Sequence, residues 1–545
     1  MPSSSQKETV QHLAHVLSEA EQAGDIPLQI RLYQELLNEV PNLALAHAKV
    51  GHLYLKLDQP DSAQPYIEHA LALPGDDRVD AELFDLLADR PLFTGNLEQA
   101  HQWYLARPNL WRMKLYAAAL LHNRQTEQAE KLLAQMLESS VSPSQQAWVM
   151  SALAKLYFDT ARYHEAIASS QMGLEIAPQN IQLHFNLAAS LEQVGRYEQS
   201  FEHYNKVLQQ LPQHANTHNN LALQMLRLKQ FASGWPHYEW RWQSTLQKDQ
   251  QLFNIPRWQG EPLEGKKLLV WAEQGIGDHI MFASMLPDLL ALGGTLHFET
   301  YTRLAPILQR SFPKALFIQR EQAGTLRGET QMLYRQSWPQ SDFQIPMGSL
   351  GQLLRPDLAA FAHQGPYLQA DLQASQSKRE EYNRLFPGKK LIGISWRGGI
   401  DTSNDMQSRR ISMTELARLA SLEHVQFINL QYGDTLAERI EAQSLGLYIH
   451  HDESVNPLAD MDAQASQLAA LDAVLSIDNT AVHLAGALGV PTYVLLQLNP
   501  NWRWGLDDGP SYWYPSVHTV RNREIGSWTD VISRTLAVMH EHGHL

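Results

Sequence analysis

Residues 266–282 read KKLLVWAEQGIGDHIMF. The apolar run Leu268–Trp271 predicts a strand, the segment around Gln274, Gly275 and Gly277 a tight turn, and the residues after it a helix. A strand that passes through a glycine-rich turn into a helix usually marks a place where a phosphate or a sugar is handled. From Lys266 onward, short β-rich runs alternate with amphipathic segments, the pattern of parallel α/β sheets. LLVWAE, TLHFET, ALFIQR and DFQIP form a first series of strands. KLIGISW, VQFINLQ, LYIHH, AVLSID and PTYVLLQ form a second, with SMTELARLASL and TAVHLAGALG among the helices between them. The break lies near PYLQADLQASQSKREE (366–381). Two such doubly wound units facing one another place a cleft at the carboxyl ends of both sets of strands.

Upstream of this half the pattern is a repeat. Pro178 closes HEAIASSQMGLEIAP and Pro212 closes YEQSFEHYNKVLQQLP, with Leu153, Leu187 and Leu221 each followed by Ala154, Ala188 and Ala222. An earlier unit carries Gly51, Tyr54, Ala63 and Ala70 in the same layout. Small residues let the two helices of a hairpin approach, and larger ones fill the gap to the next hairpin, as in the tetratricopeptide repeat, which these units resemble. Units fall at 10–43, 44–77, 147–180, 181–214 and 215–245, with degenerate ones over 79–146. Asn216, His218, Asn219 and Asn220 read either as a polar ladder for a bound peptide backbone or as solvated surface. The last unit ends in FASGWPHYEWRW (231–242); with Phe231, Trp235, Tyr238, Trp240, Trp242 and Trp258 it predicts a docked junction and no floppy tether. The expected domains are an array over 1–245, an aromatic junction over 246–265, a first α/β domain over 266–375 and a second over 376–545 with a returning carboxyl-terminal helix.

Composition narrows the function. At 545 residues the chain exceeds one hydrophobic core. Its net charge of -15 argues against a nucleic-acid surface. The absence of cysteine removes disulfides, thiolate zinc sites and cysteine nucleophiles. No apolar run approaches the ~18 residues of a membrane span, and the amino-terminal stretch has no signal-peptide core, so a cytoplasmic protein is expected.

The pair EQGIGDHIMFASMLP and SIDNTAVHLAGALGVPTYVLL resembles the heptosyltransferase-type glycosyltransferases of the GT-B fold (family 9-like). With the repeats attached, the chain resembles bacterial protein O-glycosyltransferases, flagellin-modifying enzymes among them. The resemblance implies an α-solenoid followed by an α/β GT-B half of two Rossmann-like domains. It also implies a sugar donor bound as its nucleotide, and no metal. In the turn, Gln274, Gly275 and Gly277 are implied to bring backbone close to the acceptor sugar or the donor, and Asp278 is the implied general base, since an acceptor hydroxyl must lose its proton as it attacks. A helix cap is the bland reading of Asp278, and Glu273 and His279 are neighbouring candidates for the base. Asn479, Thr480 and Ala481 are implied to hold the donor diphosphate at a helix amino terminus, with Asp478 and His483 keeping the family's five-residue spacing. His483 also reads as a core histidine. Arg397 and Arg410, in SWRGGIDTSNDMQSRRIS, are implied to stabilise the leaving diphosphate, and Gln431 to meet the nucleotide base.

Elsewhere, Asp460 and Asp462 precede a helix and read as capping residues. Trp502, Trp504 and Trp513 read as sugar- or base-stacking groups or as packing for the carboxyl-terminal helix, with packing favoured for Trp513. The tail HEHGHL reads as solvated. Three readings follow. The first is an inverting, metal-independent glycosyltransferase acting on Ser or Thr of a protein bound by the repeats. The second is a transferase for a glycan or lipopolysaccharide-type acceptor that uses the repeats for recruitment. The third is a non-catalytic adaptor or chaperone with a degenerate GT-B half.

Overall fold

The computed structural model describes residues 4–57, 59–73, 80, 84, 96–106, 108–138, 142–244, 253–320, 338–362, 365–398 and 409–545. They fall into two compact units, Met1–Asn186 and Leu187–Leu545.

The first unit is built from antiparallel helix pairs. Ala44–Lys56 packs on Pro60–Ala72, and Pro143–Asp159 on Tyr163–Ile176. The small residues do what the repeat pattern requires: a Cβ at Gly51 would lie 2.2 Å from the Ile67 side chain. Within the degenerate stretch, Leu110–His122 pairs with Thr126–Glu138; residues 85–95 lie outside the described residues. Along the leading helices of successive pairs, Trp111, Lys114, Gln145, Trp148, Asn180 and Gln182 help line a cavity of about 410 Å³. The Lys114 ammonium sits 4.5 Å and 4.6 Å from the ring centres of Trp111 and Trp148.

In the second unit the last helix pair, Ala215–Arg227 and Phe231–Tyr238, packs with the α/β half, so the compact units part well before the expected boundary at 245. The aromatic segment is the physical cause. Trp235 donates its indole N–H to the Arg355 carbonyl at 2.7 Å. It also lies over Gly351, where a Cβ would come within 2.5 Å of the ring. Trp235 and Tyr238 both meet Trp502, at centroid distances of 5.7 Å and 5.8 Å. Arg241, fully buried, donates to the Glu273 carboxylate at 2.8 Å and 3.0 Å and to Ser349 Oγ at 2.8 Å. Among the residues read as a peptide ladder or as solvated surface, Asn220 donates to Tyr204 Oη, Asn216 accepts from Ser244, and His218 stacks on Trp240, all within residues 204–244.

Two sheets follow. The first contains β1 (Lys267–Trp271), β2 (Thr295–Tyr301), β3 (Leu316–Arg320) and β4 (Phe343–Pro346), ordered β3-β2-β1-β4 and parallel throughout. The second contains β5 (Lys390–Ser395), β6 (Val425–Asn429), β7 (Ile449–His450), β8 (Ala473–Ile477), β9 (Thr492–Leu496), β10 (Gly509–Pro510) and β11 (Val517–Arg521). Its order is β10-β11-β9-β8-β5-β6-β7, with only β10 antiparallel. Central strands such as β6 and β8 are buried along their whole length, as strands of a parallel sheet covered on both faces are, and they are mostly apolar apart from Gln426, Asn429 and Ser476. The fold is thus an α-solenoid followed by two Rossmann-like α/β domains, as expected. The closing helix Thr529–Glu541 departs from expectation. It packs through Val531, Ile532 and Met539 onto Tyr493, Leu495 and Val520 of the second sheet, not back onto the first domain.

Candidate functional site

The turn after β1 leads into the helix Ile276–Ala283, with Gly275 as its extended N-cap. Gln274 is held at φ +61°, a left-handed conformation uncommon for a residue with a Cβ. The Tyr301 hydroxyl donates to its carbonyl at 2.7 Å, and its own side-chain amide donates to Tyr238 Oη. At Gly277 the chain runs against the second domain: a Cβ there would lie 2.9 Å from His483 Cδ2, which only glycine avoids. Asp278 sits one residue further on and makes no capping hydrogen bond, so the helix-cap reading is set aside. Its Oδ1 instead accepts from Arg503 Nε at 2.8 Å and from Arg503 Nη2. Its Oδ2 lies beside Gly275.

The neighbouring candidates for the base are otherwise engaged. Glu273 is buried and holds Arg241 and the Gly348 N–H. His279 is buried against Phe298 and Tyr301, and neither ring nitrogen has a hydrogen-bond partner. Burial, aided by the Arg320 charge, pushes its pKa down to about 3, so it stays neutral and out of solvent.

A second buried acid supports the turn from below, where the Ala272 N–H donates to Glu299 Oε2 at 2.7 Å. Burial, partly offset by Arg320 and by that N–H, pushes the Glu299 carboxyl up from an ordinary 4.5 to about 7. The fold therefore prefers the protonated form. This contribution is full below pH 4.5 and is lost as pH rises through about 7. Glu299→Gln is expected to flatten that fall, whose slope reaches at most ~1.4 kcal/mol per pH unit. Urea unfolding of both proteins at several pH values between about 5 and 8 measures it; identical slopes would refute the assignment.

In the second domain, Asn479 caps the helix Thr480–Leu488 by accepting from the Ala481 N–H at 3.1 Å. Its amide also donates to Ser395 Oγ at 2.7 Å and to the Arg397 carbonyl at 3.2 Å, tying β8 to the end of β5. Thr480 is half-buried and Ala481 buried at the first turn. Asp478 pairs with Arg409, Nε to Oδ1, at 3.1 Å. Gln431 accepts at Oε1 from Ser395 Oγ, Trp396 N and Arg397 N, so it braces the end of β5; its Nε2 is buried without a partner. Arg397 and Arg410 converge on a residue the sequence reading did not name, Glu438, at 3.2 Å and 2.8 Å. The loop between these arginines, 399–408, lies outside the described residues.

His483 connects the two sides. Its Nδ1 and the Tyr514 hydroxyl share a hydrogen bond of 2.8 Å, and its ring stacks on Trp504 at 5.1 Å. Burial, with the Arg503 and Arg409 charges, holds its pKa well below the ordinary value and keeps the ring neutral. The core-histidine reading therefore describes its environment, yet that environment is the seam between the two domains. Gly277, Asp278, His483 and Arg503 meet there, while Asp478, Asn479, Gln431, Arg397 and Arg410 ring the ends of β5 and β8. Arg503 escaped notice because only folding brings it to Asp278; its place between Trp502 and Trp504 was the available signal.

The remaining expectations resolve simply. Asp460 caps the helix Met461–Ala469, and Asp462 pairs with Arg310. Trp502, Trp504 and Trp513 are all buried. His542 and His544 each share a hydrogen bond with the Tyr493 hydroxyl. Among the described residues no group of three or more His, Asp or Glu is arranged to hold a metal ion, and no helix is long and apolar enough to cross a membrane.

A family model described as tetratricopeptide repeat matches residues 44–77, the second of the expected units. Protein FlbA of Caulobacter vibrioides is 34% identical over 301 residues, 54% of this chain and 50% of that protein. The chain thus spans about half the length of the curated relative it matches. Among solved structures, a family 9 glycosyl transferase from Veillonella parvula is 11% identical with a TM-score of 0.37, covering 51% of this chain and 99% of that one. The E. coli ADP-heptose lipopolysaccharide heptosyltransferase II is 13% identical with a TM-score of 0.32, covering 51% of this chain and 100% of that one. The chain therefore carries a tetratricopeptide repeat ahead of two Rossmann-like domains and is similar to Protein FlbA.

Proposed function

We propose that the chain is a glycosyltransferase that moves a sugar from a nucleotide-sugar donor to a Ser or Thr hydroxyl of a protein held by its repeats. The observation that carries this reading is the meeting of the helix after β1, which carries Asp278, with the helix after β8 through Gly277 and His483 at the carboxyl ends of both sheets. In the proposed reaction the acceptor oxygen attacks the anomeric carbon from the Asp278 side. Its proton passes to Asp278 Oδ2, the bond from the anomeric carbon to the phosphate oxygen breaks, and the nucleoside diphosphate leaves with that electron pair. One displacement inverts the anomeric centre. The amino terminus of the helix Thr480–Leu488 receives the diphosphate. Arg397 and Arg410 exchange their hold on Glu438 for the departing phosphates, so charge is stabilised without calling on a metal or other cofactor.

Titration with a panel of nucleoside diphosphates tests the donor half. One is expected to bind, and Arg397→Ala and Arg410→Ala are each expected to weaken it roughly tenfold or more. Failure of every nucleoside diphosphate to bind wild type would sink the reading. The acceptor side rests on the aromatic cavity of the first unit, where rings and amides offer stacking and hydrogen bonds to a polypeptide. Trp148→Ala is expected to weaken capture of the acceptor protein by about tenfold or more in a pull-down titration, with donor binding unchanged. Equal capture by both proteins would place the acceptor elsewhere.

A further inference from the structure

We infer that Arg503 is the positioning residue of the base: it fixes the Asp278 carboxylate across the seam between the two α/β domains. This rests on the transferase reading of the site. Both guanidinium bonds fall on Oδ1, from Nε at 2.8 Å and from Nη2, which leaves Oδ2 beside Gly275 at the mouth of the glycine turn. A carboxylate on the first turn of a helix rotates freely unless held. A planar guanidinium is suited to hold it, because its donors are fixed in one plane.

The loop that carries Arg503 is itself fixed from both sides. Trp502 is buried among Trp235, Tyr238 and Phe282, while Trp504 stacks on His483. Two residues before Trp502, the Pro500 carbonyl accepts from Arg227 Nε at 2.6 Å. One residue earlier, Asn499 accepts from the Tyr197 hydroxyl at 3.0 Å. Past the triplet, Lys229 pairs with Asp507 at 2.6 Å. The last helix pairs of the array therefore anchor the loop, the loop carries the arginine, and the arginine orients the acid on the opposite domain. Arg503 is thereby distinguished from Arg397 and Arg410, which pair within the second domain and are placed to move to phosphate. Its partner is the base.

A double-mutant cycle with Asp278→Asn and Arg503→Met, supported by Arg503→Lys, tests this with the full chain. Arg503→Met is expected to lower kcat about 10²-fold, with the donor KM within about twofold of wild type. Arg503→Lys is expected to recover part of the loss, and Arg503→Met is expected to cost nothing further in the Asp278→Asn background. A raised donor KM with kcat unchanged, or losses that multiply in the double mutant, would overturn the inference and make Arg503 a phosphate ligand or an independent group.

A second arm does not depend on turnover. The chain has no cysteine, so spin labels at Leu316→Cys and Ile440→Cys, exposed positions on the two domains, report the distance across the seam. Arg503→Met is expected to broaden that distance distribution, and Arg503→Lys to keep it narrow. An unchanged distribution in Arg503→Met overturns the inference. Wild type that transfers no sugar yet shows the narrowing would instead retire the transferase reading and leave the Arg503 clasp standing.

Discussion

Asp278→Asn is expected to lower sugar transfer by about 10²–10⁴-fold, the usual worth of a positioned general base, while nucleoside diphosphate binding stays within about twofold of wild type. Asparagine keeps the size of the side chain and an oxygen for Arg503, so the seam and the melting temperature are expected to persist. What it loses is the ability to take the acceptor proton at Oδ2. The two residues that a sequence reading offers as substitutes are removed by their surroundings. Glu273 is buried in a bidentate bond to Arg241, and His279 is buried and neutral. Initial rates of nucleoside diphosphate release in the presence of acceptor decide the matter. Rates within tenfold of wild type would remove Asp278 from the chemistry.

Arg241→Met is expected to destabilise the second unit by about 3–5 kcal/mol, because it strands the Glu273 carboxylate in a fully buried site. Burial opposes the Arg241 charge, but Glu273 and Glu239 outweigh it and hold the guanidinium pKa above its ordinary value. The pair joins the end of the repeats to the glycine turn, so its loss is expected to reach the site as well as the fold. Urea unfolding of the full chain, followed through a tryptophan signal of the second unit, measures the change. Arg241→Met combined with Glu273→Gln is expected to recover much of it, since a neutral partner no longer has to be buried charged. A single mutant as stable as wild type would mean that the pair contributes little and that the aromatic contacts alone hold the last helix pair in place.

Much of this architecture is legible in the sequence. The nine strands β1–β9 stand out as short apolar runs bounded by turn residues, and the repeat at 44–77 stands out through Gly51, Ala63 and Ala70. Short or composite elements are not legible. β10 is two residues long, β11 lies beyond an aromatic stretch with no alternation to read, and SMTELARLASL is one α-helical turn followed by a 3-10 segment rather than one helix. Where the last helix pair docks was not legible for a related reason. Helical periodicity identifies Phe231–Tyr238 as part of a repeat, but Trp235 buries itself against Arg355 and Trp502, and only tertiary packing shows which neighbour a helix face prefers. Within the site, residues on the two turns were legible because a turn at a strand end has few purposes. The pairing of Asp278 with Arg503 was not, since 225 positions separate them and neither signals the other locally. Glu438 escaped for the same reason: on a helix surface its charge reads as solvated until Arg397 and Arg410 arrive.

Intact-mass spectrometry of proteins captured by the full chain in its native host, with wild type compared against Asp278→Asn, tests sugar transfer to protein most directly. A sugar-sized mass increase on a captured protein, present with wild type and absent with the mutant, is the expected result. A protein held by the repeats whose mass is the same with both would contradict protein glycosylation by this chain.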